Sequence, residues 1–370
     1  MSPAVLLHAA PERSADLFHV IPAAIGDAFT YLERDAGGRR LAVVSVLDRD
    51  AVAAAGVEVV DPSGLGRDEL TAQGVAPLAA DAELALRLVR AEGIEAAIVP
   101  PDFPLWVADH LRAAGIALTV DADAFMARRR AKSAAQLAGI RRAQAAADAA
   151  MAVARDMVHE LPDGLSSEAV REAMQAACAQ RGCDLGDDVV VAAGAQSALG
   201  HESGSGPIAA GVAVIVDLWP RDRASRCWAD MTRTFVAGGG EPPAELATAW
   251  RLCDAALRLV LAEIRPGVAG GALYARSCEP FEAAGLPTQR TKSPGTTLEE
   301  GYYHSLGHGV GLELHERPYL GRASDDLVAG DVIAVEPGTY RPGFGGCRLE
   351  DLVLVTGAGC EVLTDFPYGL

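Results

Sequence analysis

Several protein classes need features that this 370-residue chain lacks. There is no basic excess. The formal net charge is −18, so no basic face is available to neutralise phosphates, which argues against a nucleic-acid partner. There is no cysteine framework either. The seven cysteines (Cys178, Cys183, Cys227, Cys253, Cys278, Cys347 and Cys360) are odd in number, scattered and without a CxxC pair. Disulfide scaffolds and thiolate zinc sites are thereby disfavoured, and a reducing, cytoplasmic location is expected. The opening MSPAVLLHAAPERSAD has only a short apolar run and no basic leader. No segment approaches the roughly 18 apolar residues of a membrane span, so no membrane association is expected. No GxGxxG sits at a strand-to-helix turn, which leaves no dinucleotide fingerprint. Aromatics make up only 5% of the chain, so few rings are available to line a pocket.

Half of the residues are apolar and no low-complexity stretch interrupts them, as expected for a folded chain of two domains. Up to about residue 125 the pattern alternates: RRLAVVSVL as strand, DAELALRLVRAEGI as helix, EAAIVP as strand, FPLWVADHLRAAGI as helix and ALTVDA as strand. This rhythm predicts a small α/β domain over residues 1–128, with a largely parallel sheet. The basic ARRRAKS that follows reads as a solvated linker face at the boundary. Ser133 then opens a long alanine-rich helix, with Gln136 placed to complete a capping box. Over 129–370 the order is two helices, strands, two helices and strands, a repeated order that hints at duplication around one central sheet.

The chemistry lies in the second region. Asp217 follows the apolar run VAVIV and Asp230 precedes MTRTF, so two acids flank what reads as a hairpin with its turn in RDRAS. The register this implies sets Asp217 directly opposite Asp230, with Cβ atoms about 4.5–5.5 Å apart. Two carboxylates that close repel unless one is protonated or cations lie between them. HSLGHGVGLELHERP then gathers His304, His308 and His315, three of the eight histidines, among glycines that permit close backbone approach. Glu336 in VIAVEPGTY and Glu350 in GCRLEDLVLV add acids to apolar strands, where a lone carboxylate is costly unless paired or metal-bound.

These pieces, in this order from about Ser133 onward, resemble the pita-bread metallopeptidases, the family of methionine aminopeptidase, Xaa-Pro aminopeptidase and Xaa-Pro dipeptidase (prolidase). The resemblance implies an α+β pita-bread catalytic domain over 129–370, preceded by a creatinase-like α/β domain. It also implies a metal-ligand set of Asp217, Asp230, His308, Glu336 and Glu350, holding two divalent ions. Four carboxylates and one imidazole suit Mn²⁺ and also admit Co²⁺, Fe²⁺ or Zn²⁺. By the same resemblance Glu336 also shuttles a proton. His315 and His201 face the substrate and are catalytic candidates, and His304 and Arg348 join them as substrate-binding residues. Arg348 has the alternative of orienting an acid. One departure concerns the two aspartates, thirteen positions apart here against the family's usual eleven. An insertion of two preserves strand parity, so both still face one way.

The implied activity is hydrolysis of Xaa-Pro bonds in proline-containing peptides, by a homodimer in the cytoplasm. Tyr319 follows HERP, where some dipeptide-specific members carry an arginine; Arg317 and Arg322 are out of register. That favours an Xaa-Pro aminopeptidase, with the dipeptidase as the alternative. Trp219, Trp228 and Tyr340 are candidates for the proline pocket. Rival readings on the same scaffold are a metal-dependent lyase, a metal-free hydrolase and a non-catalytic peptide binder.

Overall fold

The structure, a computed structural model, describes residues 3–35 and 37–370. The chain divides into two compact units, Met1–Arg129 and Arg130–Leu370.

The first unit holds strands β1 (Ala4–Ala9), β2 (Phe29–Glu33), β3 (Arg40–Val43), β4 (Glu58–Val60), β5 (Ala96–Val99) and β6 (Ala117–Val120) in one sheet, ordered β4-β3-β2-β1-β5-β6. Its helices are α1 (Ala15–Val20), α2 (Arg49–Ala54), α3 (Arg67–Ala72), α4 (Pro77–Ala91), α5 (Leu105–Ala113) and α6 (Ala122–Arg129). The expected largely parallel sheet is instead mixed. β1, β2 and β3 form an antiparallel meander, while the other three pairs, β3–β4, β1–β5 and β5–β6, are parallel as expected. The strands missed by the pattern are the three-residue EVV and the longer AVLLHA and FTYLE. The longer two are buried on two faces, so neither shows the apolar–polar alternation that marks a half-exposed strand. Leu6 packs with α4 and α5 residues such as Leu88 and Leu111, whereas Val5 and Leu7 pack with Leu17 and Phe125 of α1 and α6.

The basic stretch is not a solvated face. Within the first unit Arg128 pairs with Glu33, and the nearly fully buried Arg129 lies 2.8 Å from Asp16. Within the second, Arg130 binds both oxygens of Asp331, and Lys132 meets Glu316 in a pair closed off from solvent. Each cation is drawn at least partly out of solvent by a carboxylate distant in sequence.

The second unit opens with α7 (Ala134–Glu160), capped reciprocally by Ser133 and Gln136 at 2.9 and 3.2 Å. Its alanine stripe lets α8 (Ser167–Ala179) approach closely, and Met151, Met174 and Cys178 fill the space beneath. A three-stranded sheet, ordered β11-β9-β8, comprises β8 (Val190–Ala193), β9 (Ala213–Leu218) and β11 (Met231–Val236). The short strands β7 (Cys183–Asp184) and β10 (Arg221–Asp222) pair separately. Helices α9 (Ala244–Leu261) and α10 (Gly270–Ala283) cover a five-stranded sheet. It is built of β12 (Gly307–Gly309), β13 (Glu316–Leu320), β14 (Val332–Val335), β17 (Asp351–Val355) and β18 (Cys360–Val362), ordered β13-β12-β14-β17-β18. β15 (Gly338–Arg341) and β16 (Gly345–Arg348) form a ribbon. The single central sheet expected from the sequence is therefore two sheets and two short ribbons among the described residues. They are stitched where the amide of Glu350 donates to the carbonyl of Thr232 at 3.1 Å. Among the described residues, no helix is long and apolar enough to cross a membrane.

Candidate metal centre

The hairpin that carries the two aspartates is registered two residues away from expectation: Asp217 pairs with Thr232 and Leu218 with Met231. The turn sets this. Asp222 accepts from the amide and hydroxyl of Ser225 at 2.8 and 2.6 Å, and Arg226 adopts a left-handed φ of 60°. These bonds centre the reversal on Ala224 and Ser225. Because the slip is even, Asp217 and Asp230 still share a face, now as diagonal rather than direct neighbours.

His308 enters from β12, a strand of three residues. The glycines on either side of it are required by contact. A Cβ on Gly307 would lie 1.9 Å from the carbonyl oxygen of Ala334, and one on Gly309 would lie 2.3 Å from that of Arg317. A bulge after His308 then breaks the pairing with β13 and leaves 311–315 irregular. Glu336 follows β14 directly, and Glu350 lies between β16 and β17.

These strand ends converge. Asp230, His308 and Glu350 offer ligand atoms that all lie within 4.8 Å of one another, and all three are buried. His308 Nε2 stands 3.6 Å from Asp230 Oδ2 and 3.9 Å from Glu336 Oε1. Asp217 acts electrostatically on Asp230 and Glu350, and its Oδ2 accepts from Arg348 Nη2 at 2.5 Å. Its other oxygen, Oδ1, is buried without a hydrogen-bond partner.

Burial, and then mutual repulsion among the carboxylates, pushes Asp230 and Glu350 well above the ordinary carboxylate range. Burial likewise raises Glu336 to about 8, against the opposing pull of Arg348. His308 is pushed down to about 4 by burial and by His315 beside it, which leaves a neutral imidazole with a lone pair to offer. Four acids facing one guanidinium are short of positive charge, and Asp217 Oδ1 is short of a partner. Oxygen-rich donors with one imidazole fit divalent cations. The residues present therefore fit the metal group expected for them.

The other candidates lie around this cluster. The His315 and His308 ring centroids are 4.2 Å apart. His201 is exposed, and its charge bears on both His304 and His315. His304 shares Nδ1 with the Ser305 carbonyl at 2.7 Å and Nε2 with the Tyr340 hydroxyl at 3.0 Å. With Nδ1–H donating to the carbonyl, Nε2 is the acceptor. Tyr340 then donates to His304 and accepts from Arg348 Nη1 at 2.7 Å. Arg348 is only 4% exposed and also donates to Thr232 Oγ1 and the Gly200 carbonyl. It is placed to hold Asp217 rather than to face open space. Among the proline-pocket candidates, Tyr340 belongs to this network. The Trp228 indole anchors the 311–315 loop through the Leu312 carbonyl, and Trp219 packs against the core.

Three contributors were not singled out from sequence. Thr232 donates to Glu350 Oε2 at 2.7 Å, Lys132 neutralises Glu316 beside His315, and Arg233 lies fully buried under the site. The pattern carried a signal for two of them, since MTRTF places a threonine on the same face as Asp230 and a charged residue on the apolar one.

Comparison with known proteins gives this constellation its class. The model of metallopeptidase family M24 matches residues 138–357, and the chain belongs to that family. Its structure has the pita-bread fold. The chain is 32% identical over 179 residues to a Xaa-Pro dipeptidase of Pyrococcus furiosus, covering 48% of this chain and 47% of that one. A Xaa-Pro dipeptidase structure from Bacillus anthracis superposes with a TM-score of 0.80 at 25% identity, covering 100% of this chain and 94% of the other. An X-Pro aminopeptidase from Thermotoga maritima shares the fold at a TM-score of 0.78 and 22% identity, with 100% and 97% covered. The curated relatives are matched over about a third to just over half of their length.

Proposed function

We propose that this chain is a dinuclear metal-dependent exopeptidase that hydrolyses Xaa-Pro peptide bonds. The observation that carries the reading is the buried gathering of Asp230, His308, Glu336 and Glu350 beside Asp217, whose Oδ1 lacks a partner. Asp217, Asp230, His308, Glu336 and Glu350 would hold the two cations. Bound there, the cations would supply a water acidic enough to attack at neutral pH and positive charge for the developing oxyanion.

The chain's own residues do the remainder. The nitrogen of an Xaa-Pro bond has no hydrogen and must gain a proton to leave. Glu336, whose side chain is 20% exposed, is the acid within reach of both cluster and substrate and carries that proton. His315 and His201, on the open side, hold the scissile carbonyl. Arg348 and Thr232 fix Asp217 and Glu350 from below.

The names of the relatives favour dipeptides as substrates, and the Xaa-Pro dipeptidase takes precedence over the aminopeptidase on that ground. Tyr319 favours the second reading, cleavage of longer peptides. Chelated protein reconstituted with Mn²⁺ and offered Ala-Pro and Ala-Pro-Ala separates them by mass spectrometry. Cleavage of Ala-Pro alone is the dipeptidase outcome, and alanine released from the tripeptide is the aminopeptidase outcome. Failure on both with metal bound would turn the reading towards a lyase. Manganese as the resident metal, a homodimer and a cytoplasmic location belong to the same proposal; elemental analysis and light scattering check the first two.

A further inference from the structure

Arg233 is the largest fully buried side chain among the described residues. All five of its N–H donors have an acceptor to hand. Nη1 donates to the carbonyls of Glu350 at 2.7 Å and Thr232 at 3.0 Å. Nη2 donates to Asp351 Oδ1 at 3.0 Å and the Phe366 carbonyl at 3.1 Å, and Nε to the Pro367 carbonyl at 3.2 Å. The guanidinium lies 4.7 Å from the Tyr368 ring centroid, and the Tyr368 hydroxyl donates to the other oxygen of Asp351.

The partners share a location. Glu350 and Thr232 are, respectively, a candidate ligand and the residue that donates to that ligand's carboxylate. Asp351 pairs across the sheet with Val335, which immediately precedes Glu336. Thr232 lies two residues past Asp230 on the same face. Arg233 thus ties together the chain segments carrying Asp230, Glu336 and Glu350, although its own side chain emerges on the opposite, apolar face of β11 with Phe235 and Phe366. Carbonyls from 366 and 367 and the ring of 368 complete its coordination. A lysine could not reproduce this arrangement, because three donors on one nitrogen cannot span five acceptors.

We propose that Arg233, with Asp351 and the segment Phe366–Tyr368, is a positioning device for the metal centre, setting the backbone of Glu350 against Asp230 so that their carboxylates meet one cation. This rests on the metal-site reading above. A merely structural role predicts a lower melting temperature with unchanged metal affinity in whatever remains folded; a positioning role predicts weaker metal binding well below the melting temperature.

The test measures Mn²⁺ binding to chelated full-length protein by titration calorimetry at 25 °C, alongside the melting temperature of the chelated form. The variants are Arg233→Lys, Tyr368→Phe and, as a control, Leu111→Ala, which opens the core of the first unit, none of whose residues belongs to this cluster. The proposal expects the Mn²⁺ Kd to rise about tenfold in R233K, roughly 1.4 kcal/mol. It expects a rise of about threefold in Y368F and none in L111A, whatever each does to the melting temperature. Should R233K fail to fold, Y368F carries the test, since it removes one hydroxyl and leaves the ring in place. Wild-type Kd in the folded variants overturns the proposal, as does an equal rise in L111A. A wild-type protein that binds no Mn²⁺ overturns the metal-site reading itself, and this proposal with it.

Discussion

Glu350 and Asp351 are adjacent in sequence and both buried, yet they belong to opposite kinds of charge cluster. Asp351 is balanced. One oxygen meets Arg233, the other meets Tyr368, and the guanidinium has no N–H left unspent. Glu350 sits in a cluster of acids that press one another's protons into place, with Arg348 as the facing cation. A fold that can satisfy buried charge completely at one residue and leaves it unsatisfied at the next is built to receive charge from outside at the second. The closed cluster supports stability and geometry, and the open one supports chemistry.

This contrast can be broken at its strongest point first. Asp230→Ala or Glu350→Ala should abolish metal-dependent Xaa-Pro cleavage, a loss of at least about a thousandfold. The chain should stay folded, because removing a carboxylate from a crowded acid cluster relieves repulsion. Activity assays with circular dichroism check both halves, and wild-type-like turnover in either variant would sink the site assignment. Asp351→Asn attacks the closed cluster and should do the reverse. It leaves a buried guanidinium without its counter-charge, so a loss of about 3–5 kcal/mol in stability is expected by urea unfolding.

The pH dependence sharpens the same point. In chelated protein Glu336 is raised from 4.5 to about 8, and Asp230 and Glu350 are raised as well. Between the unfolded and folded values the native state holds the extra protons, so stability is present at low pH and falls as pH rises. Below about pH 6.5 the lowered His304, His308 and His315 act in the opposite sense, so the chelated melting temperature should decline from about pH 6.5 towards pH 8. Added Mn²⁺ should flatten the decline, since cations replace the protons. A chelated protein equally stable at both ends would contradict the open character of the cluster. The smallest effect expected is that of Ser133→Ala, which removes the α7 cap, a hydroxyl that accepts from the Gln136 amide. It should cost about 1 kcal/mol of stability with metal binding unchanged.

The sequence made the open cluster more visible than the closed one. Acids in apolar strands stand out because burial penalises them, so Asp217, Asp230, Glu336 and Glu350 were legible one by one, and the glycine-set histidines pointed to the same site. Their pairing was less so. The register depends on where the turn closes, and a local Asp222–Ser225 arrangement moved it by two residues. Arg233 was missed for a different reason. Four of its five acceptors lie at Glu350, Asp351, Phe366 and Pro367, more than a hundred positions away, and no local pattern announces them. The same holds for Lys132, read as solvated although Glu316 was waiting for it. In the first unit, β1 and β2 escaped because strands buried on both faces lose their alternation. Helix limits were more legible, because Ser133 and Gln136 carry their cap within four residues.

The measurement closest to the central claim is metal stoichiometry in the folded, chelated and reloaded chain, followed by elemental analysis after gel filtration. Two Mn²⁺ per chain in the wild type, with loss in the Asp230→Ala variant, is the predicted result. A natively folded wild-type chain that retains no divalent metal would contradict it, and the buried acids would then need protons alone to explain them.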